Sequence, residues 1–333
     1  MLNKIVVALA SDQNYFDGLL VTAGSMARCA CQDSDIEWVV LDGGIEECSF
    51  RLLEESLLRL HGRSEIRRII FDKEHISNAP EYNGSIMTYS RLLLSKLLPE
   101  VEFVLYCDVD FLWRADVAEL WKLRCDKYIL QSTHDQNVML NGGRGEETWF
   151  RKHNFCFDKD RYFCAGLCLF NLKLIRDEGY DKIFLDALLT NNNLPLADQT
   201  VLNAYVPSCK IGFLPDRWQI FVTILKSEQT KHPFVLHYAA SAPWKNMWLF
   251  SDSKMLWYKE LARISQCSLT SVIGKYNKIG FAFFLRFLYL VVTSNRYFFF
   301  VFRSLMRLIN REGTCGYCCR IYNCEQLFNR KML

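Results

Sequence analysis

The sequence predicts an α/β fold with a mostly parallel central sheet, followed by a separate basic helical region, and three observations carry that prediction. Short, apolar, β-branched runs alternate with longer amphipathic patterns through the first half of the chain. Polar and acidic residues follow the ends of those runs, which is where open α/β sheets bind ligands. The charge is also divided unevenly: residues 275–333 hold 10 Lys or Arg against 2 Asp or Glu, and the preceding 274 residues hold 30 against 35.

Taken in order, strands are expected at Lys4–Ser11, Ile36–Leu41, Ile66–Phe71, Phe103–Cys107 and Tyr128–Ser132, with helices at Asp17–Cys31, Ile45–Leu60 and Ile86–Leu98. Buried β-branched strands separated by helices are the mark of a parallel sheet covered on both faces. The apolar run Ile5–Ala10 is closed by Asp12 and is too short for a secretory signal, so it reads as the first strand. The change of charge near Ser265–Lys275 sets the expected boundary between a main α/β domain, residues 1–265, and a C-terminal region, residues 275–333.

With 333 residues, 50% of them hydrophobic and 23% charged, the chain can bury a large core, which excludes a disordered protein or a disulfide miniprotein. A net charge of +3 makes no case for a polyanionic partner, and no nucleic-acid partner is expected. The 14 cysteines then read as reduced thiols in a cytoplasmic setting, as in Cys164-Ala165-Gly166-Leu167-Cys168. In the most apolar stretch, Ile279–Phe302, Arg286 and Arg296 interrupt the uncharged runs well short of the ~20 residues that a membrane span needs.

The clearest chemistry follows the apolar run Val101–Cys107. There Asp108-Val109-Asp110 would place two carboxylates on one face at a strand's carboxyl end, a pairing that suits a hard divalent cation bridging to a diphosphate. Alone, such a pair is more often a solvated loop. Further motifs follow or precede it in a fixed order: Ala10-Ser11-Asp12-Gln13-Asn14-Tyr15, Thr88-Tyr89-Ser90-Arg91, Tyr162 to Leu172 around Cys164-Ala165-Gly166, Ala197-Asp198-Gln199-Thr200-Val201-Leu202-Asn203, Leu214-Pro215-Asp216-Arg217-Trp218, and His237-Tyr238 through Pro243-Trp244.

Together these resemble the family-8 glycosyltransferases, retaining sugar-nucleotide enzymes with a Rossmann-like GT-A fold, and most of all the bacterial lipopolysaccharide glucosyl- and galactosyltransferases. The resemblance implies a UDP-hexose donor and Asp108, Asp110 and His237 as cation ligands. That oxygen and nitrogen set suits Mn²⁺ better than Mg²⁺, because imidazole is the softer donor. It implies Ala10, Asp12, Asn14, Tyr15 and Val109 around the nucleotide, with Tyr15 stacking on uracil. Arg91, Cys164, Ala165 and Gly166 would meet the sugar or phosphate. Each has a plainer reading beside it: Asp12 as a helix cap, Arg91 as a surface ion pair, His237 as a core histidine, Asp198 as an N-cap.

For the reaction, Asp198 would bind sugar hydroxyls, and Gln199 occupies the position of a nucleophile. A neutral amide is a poor nucleophile, so front-face attack by the acceptor hydroxyl is expected, with the β-phosphate oxygen taking its proton. The chain departs from the family pattern at Cys164, where Asn is usual, and at Thr200, where Asp is common. The His237–Trp244 segment is a residue shorter and lacks its Lys before Pro-Trp, and Lys245 is the expected substitute. A nucleotide-sugar-binding or membrane scaffold protein with weakened catalysis is the alternative.

If residues 275–311 form one helix at ~100° per residue, Lys275, Lys278, Arg286, Arg296, Arg303, Arg307 and Arg311 share one arc and Phe284, Phe287, Phe298 and Phe302 lie opposite. This predicts an interfacial helix on an anionic membrane surface, a peripheral position on the inner face of the cytoplasmic membrane, and a glycolipid or polysaccharide acceptor. Cys315, Cys318, Cys319 and Cys324 leave zinc, S-acylation and plain thiols open.

Overall fold

The structure, a computed structural model, describes residues 4–76, 79, 82, 85–191, 193–224, 233–239, 242–244 and 252–276. The basic stripe beyond Tyr276, the four tail cysteines and Lys245 lie outside the described residues.

The main unit comprises Met1–Trp244 and Asp252–Cys267. Its centre is a seven-stranded sheet formed by β1 (Ile5–Ser11), β2 (Ile36–Asp42), β3 (Ser64–Ile70), β4 (Phe103–Cys107), β6 (Leu130–His134), β7 (Phe163–Asn171) and β8 (Ile211–Phe213), in the order β3-β2-β1-β4-β7-β6-β8. A three-stranded sheet, β5-β10-β9, is made from β5 (Phe111–Trp113), β9 (Ile220–Phe221) and β10 (Val235–His237). The pairs β1/β2, β2/β3, β1/β4 and β6/β8 are parallel. Only β7 runs against its neighbours β4 and β6, so the expected mostly parallel α/β sheet is present with one reversed strand. Every residue of β1 and of β7 is buried, because helices cover both faces of the sheet.

The first-half elements fall within a few residues of expectation, with one difference of type. The helix expected over Ile86–Leu98 is a 3₁₀ helix at Met87–Leu93 followed by one α turn at Leu94–Leu97. In a 3₁₀ helix residues three apart eclipse. Thr88 and Arg91 are therefore stacked, and both reach Asp198.

Two devices place β5 and the link that precedes it. Thr22, on the helix Phe16–Cys29, donates through Oγ1 to the Phe111 carbonyl and accepts from the Phe111 amide, and Ser25 Oγ accepts from the Trp113 amide. These hydroxyls satisfy the edge of β5 that faces away from β10. Gly18 lies on the same helix, and a Cβ there would stand 2.5 Å from the Val109 carbonyl oxygen, so only glycine lets the helix come this close. The second unit is described through the helix Leu269–Tyr276. Among the described residues no helix is long and apolar enough to cross a membrane.

Candidate active site

β4 ends at Cys107, and Asp108-Val109-Asp110 is the short link that carries the chain from the large sheet into β5 of the small one. The two carboxylates therefore converge because the chain turns between sheets, and not because a strand alternates. β10 brings in the third group from far along the sequence: antiparallel pairing sets His237 opposite Phe111, and parallel pairing sets it opposite Phe221. Ligand atoms of Asp108, Asp110 and His237 all lie within 4.8 Å of one another. The His237 ring is stacked between Phe111 at 4.1 Å and Phe221 at 4.8 Å, which fixes its plane.

The donor set suits a divalent cation on two structural grounds. Asp110 Oδ1 is buried without a hydrogen-bond donor, and His237 Nε2 faces it at 3.2 Å. Buried carboxylate oxygens without partners are costly, and a cation would satisfy this one. The space is also kept open by Gly166, where a Cβ would come within 3.1 Å of the imidazole, 3.2 Å of Asp108 Oδ2 and 3.2 Å of the Phe111 ring.

Beside this set lies a second one organised around Arg91, in which Asp198 Oδ2 is ion-paired with the guanidinium although no hydrogen bond is aligned on it. Arg91 is 4% exposed, donates through Nη2 to Asp108 Oδ1 at 2.5 Å, and faces Asp198 Oδ2 through Nε at 2.8 Å. Its Nη1 donates to the Ala165 carbonyl, its Nε donates to the Thr88 carbonyl, and its guanidinium lies over the Tyr106 ring at 4.3 Å. Asp198 also accepts from the Thr88 hydroxyl. Burial pushes the Asp108 carboxyl up to about 6, with Arg91 opposing the rise and Asp110 adding to it. Burial raises Asp198 as well, again against Arg91.

Gln199 is braced at both ends of its amide: Oε1 accepts from the Ala165 amide at 2.9 Å and Nε2 donates to Asp135 Oδ2 at 2.8 Å. One helical turn later Asn203 accepts from and donates to the backbone of Phe163, so the helix Ala197–Tyr205 supports β7 where β6 shifts register. Ala197 starts this helix at φ 49°, a conformation a non-glycine residue rarely takes.

A cleft of about 800 Å³ opens over these groups, lined by Ala10, Asp12, Tyr15, Arg91, Asp108, Val109, Asp110, Cys164, Ala165, Gly166, Asp198, Gln199 and His237 among others. Asn14 is exposed and outside that lining. Asp12 does act as a cap, accepting from the Asn14 amide, and it also accepts from Ser85 in the cleft. Asp198 is not the cap of its helix, since Leu196 holds that position and the Asp198 carboxylate is turned to Arg91 and Thr88. Tyr15 meets Trp244 edge to face at 6.1 Å. Cys164 is buried at the cleft, and burial pushes its thiol well up, so it stays neutral. The cleft also contains Asp135, which follows β6 and caps the helix Gln136–Asn141. Sequence reasoning did not single it out, although a polar residue just after a strand was the signal to inspect.

The sequence matches Glycosyl transferase family 8 over residues 6–247. General stress protein A of Bacillus subtilis is 22% identical over 267 residues, covering 72% of this chain and 87% of that protein. A Haemophilus influenzae protein with a provisional glycosyltransferase assignment is 27% identical over 140 residues, 42% of this chain and 40% of its own length. Among solved structures, the bifunctional glycosyltransferase WbbM superposes with a TM-score of 0.69 at 21% identity, covering 82% of this chain; the chain spans about half, 51%, of that protein. The galactosyltransferase LgtC, solved with donor and acceptor sugar analogues, gives a TM-score of 0.62 at 22% identity over 78% of this chain and 96% of its own. These structures share the fold, and the family match covers well over half of the sequence: the chain belongs to glycosyltransferase family 8.

Proposed function

We propose that the protein transfers a hexose, glucose or galactose, from a UDP-sugar to a hydroxyl of a glycolipid or cell-surface polysaccharide, with retention at the anomeric carbon. The observation that carries this reading is the cluster of Asp108, Asp110 and His237 on the floor of the cleft, with one carboxylate oxygen lacking a donor. These three residues would hold Mn²⁺ or Mg²⁺, which as a Lewis acid would stabilise the charge developing on the departing UDP.

The chain's own groups supply the rest. Asp12 and Tyr15 hold the uridine end, Ala10 and Val109 line its slot, and Tyr15 offers a ring face to the base. Asn14 contributes through its backbone, whose amide fixes the Asp12 carboxylate. Ala165, Gly166 and Cys164 lie under the donor sugar, and Asp198 takes sugar hydroxyls while Arg91 holds it in place. Gln199 faces the anomeric centre as an oriented dipole. Both ends of its amide are already hydrogen-bonded, which supports front-face attack over a covalent intermediate. Lys245 remains the candidate for meeting the diphosphate. Assay of UDP-sugar hydrolysis with Mn²⁺ tests the reading: Asp110→Asn should lower turnover by at least about 10²-fold, a loss of electrostatic stabilisation typical of such sites, with the melting temperature kept. Unchanged turnover at limiting Mn²⁺ would remove the cation assignment.

Residues 275–311 are proposed to bind an anionic membrane surface from the cytoplasmic side and bring the site to a lipid-linked acceptor. Seven cations at even half of ~1 kcal/mol each give salt-sensitive attachment. Reversing Arg296, Arg303 and Arg307 to Glu should release the full chain from anionic vesicles and leave hydrolysis of free UDP-sugar unchanged. Attachment that survives this change would mean that the Phe-rich face packs inward.

A further inference from the structure

Building on the cation site just proposed, we propose that Gln219 is a positioning residue that selects the tautomer of His237 able to bind a cation. Either end of its side-chain amide can face Nδ1, because the Thr133 hydroxyl can serve both orientations.

The imidazole has two faces and two edges. Phe111 and Phe221 cover the faces at 4.1 Å and 4.8 Å, and neither ring distinguishes one nitrogen from the other. The edges decide the chemistry. Nε2 is turned to Asp110 Oδ1 at 3.2 Å, the position a shared cation would require. Nδ1 meets a single polar side chain among the described residues, Gln219, whose Nε2 lies 3.1 Å away. In this arrangement the amide donates to Nδ1, and a neutral ring then carries its proton on Nε2. A cation on Nε2 needs the opposite tautomer, with the proton on Nδ1 and an acceptor facing it.

Gln219 can become that acceptor by a half-turn of its amide, because the oxygen and nitrogen ends are nearly the same shape. The other end of the amide meets Thr133, whose Oγ1 is 3.1 Å from Gln219 Oε1. A hydroxyl either donates to an oxygen or accepts from an amide nitrogen, so Thr133 satisfies both orientations. Gln219 and Thr133 are both fully buried, and no solvent is at hand to take over either role.

The backbone around Gln219 is fixed, so the freedom is confined to the amide. Its carbonyl accepts from Gln136 Nε2 at 3.0 Å, and Gln136 Oε1 accepts in turn from the Phe221 amide. Thr133 lies where the register of β6 shifts between Ser132 and His134. The bulge thus places a hydroxyl on the polar chain Thr133–Gln219–His237. A structural amide alone would be served as well by any rigid pair of partners; this one ends on an imidazole whose far edge belongs to the proposed site.

The test measures Mn²⁺ affinity of the full chain by electron paramagnetic resonance of the free ion. Gln219→Met keeps the volume and removes the acceptor, and should weaken binding by about 10–100-fold, the usual range for losing such a partner. Gln219→Glu presents an acceptor oxygen without turning and should bind at least as tightly as the wild type. Wild-type affinity in Gln219→Met, or equal loss in both variants, overturns the inference. A second measurement needs no variant: in ring-¹⁵N-histidine wild type saturated with Mg²⁺, His237 Nδ1 should be the protonated nitrogen, and an unprotonated Nδ1 refutes the proposal. If Asp110→Asn abolishes Mn²⁺ binding while the Gln219 variants are indifferent, only this inference fails; if wild type and Asp110→Asn bind alike, the cation site fails and takes the inference with it.

Discussion

On one side of the cleft floor Arg91 lies between Asp108 and Asp198, almost wholly buried, with its guanidinium on two carboxylates, two carbonyls and an aromatic face. On the other side Asp110 and His237 face each other across 3.2 Å with no aligned hydrogen bond between them. Both sides hold carboxylates, and they differ in the cation beside them: a fixed guanidinium lies between Asp108 and Asp198, whereas Asp110 faces an imidazole. A buried charge with protein partners holds its neighbours in place; a buried charge without them is shaped for something that arrives from solution. Asp108 belongs to both sides, since one oxygen takes Arg91 and the other lies by Gly166 and the imidazole.

The largest effect expected from breaking this contrast is on stability. Arg91→Met would leave Asp108 and Asp198 facing each other without their common partner, and removing one member of a buried ion pair costs about 3–5 kcal/mol. Denaturant unfolding at pH 7.5 should show that loss, whereas Asp110→Asn should leave the midpoint close to that of the wild type. If Arg91→Met instead unfolds like the wild type and only raises KM for UDP-sugar, Arg91 is a ligand-binding group and the two sides are alike.

A smaller effect, graded by pH, should appear through Asp108. Burial pushes its carboxyl up to about 6, so in the absence of a cation the native state would hold a proton between pH about 4 and 6 that the unfolded chain, with a carboxyl near 3.9, has already lost. Its contribution to stability therefore falls as pH rises through that window. Cation binding works in the other direction, because the cation needs the ionised form. Calorimetric Mn²⁺ titration should show affinity steady above pH 7 and weakening through pH 6, by close to tenfold per unit further down. An affinity flat from pH 7.5 to 5 would mean that Asp108 serves Arg91 alone.

The same contrast explains what the sequence disclosed. β1, β2 and β4 could be read because their residues are apolar and β-branched with helices between them, and Asp108 and Asp110 because they follow such a strand directly. The small sheet could not be read, since strands of two or three residues have no period to detect. His237 was accessible only through resemblance, because its position depends on the register that joins β10 to β5. The helix expected at Ile86–Leu98 had the right apolar spacing, and its 3₁₀ form follows from where Thr88 and Arg91 must reach, a tertiary demand invisible locally. Asp135 follows the end of β6, where such sheets bind ligands, and its bond to Gln199 is what marks it as part of the site.

Gln199 sharpens the contrast most finely, because it lines the cleft and yet is paired at both ends. Its carbonyl oxygen accepts from the Ala165 amide and its nitrogen donates to Asp135, so protein groups hold it even though it lines the cleft. Gln199→Ala would strand the Ala165 N–H and release Asp135, a loss of about 1–3 kcal/mol for an unsatisfied buried donor. Turnover should fall as well, by much less than in Asp110→Asn, since an oriented dipole is lost where no covalent bond was formed. Gln199→Glu gives the stricter reading. It would set a second carboxylate against Asp135 at hydrogen-bond distance, and like charges so close hold a proton between them, which raises one of the two and keeps it a weak nucleophile at neutral pH. The variant should therefore turn over slowly and accumulate no glycosyl adduct. A covalent adduct seen by intact-mass spectrometry would place a competent nucleophile at this position and end the case for front-face attack.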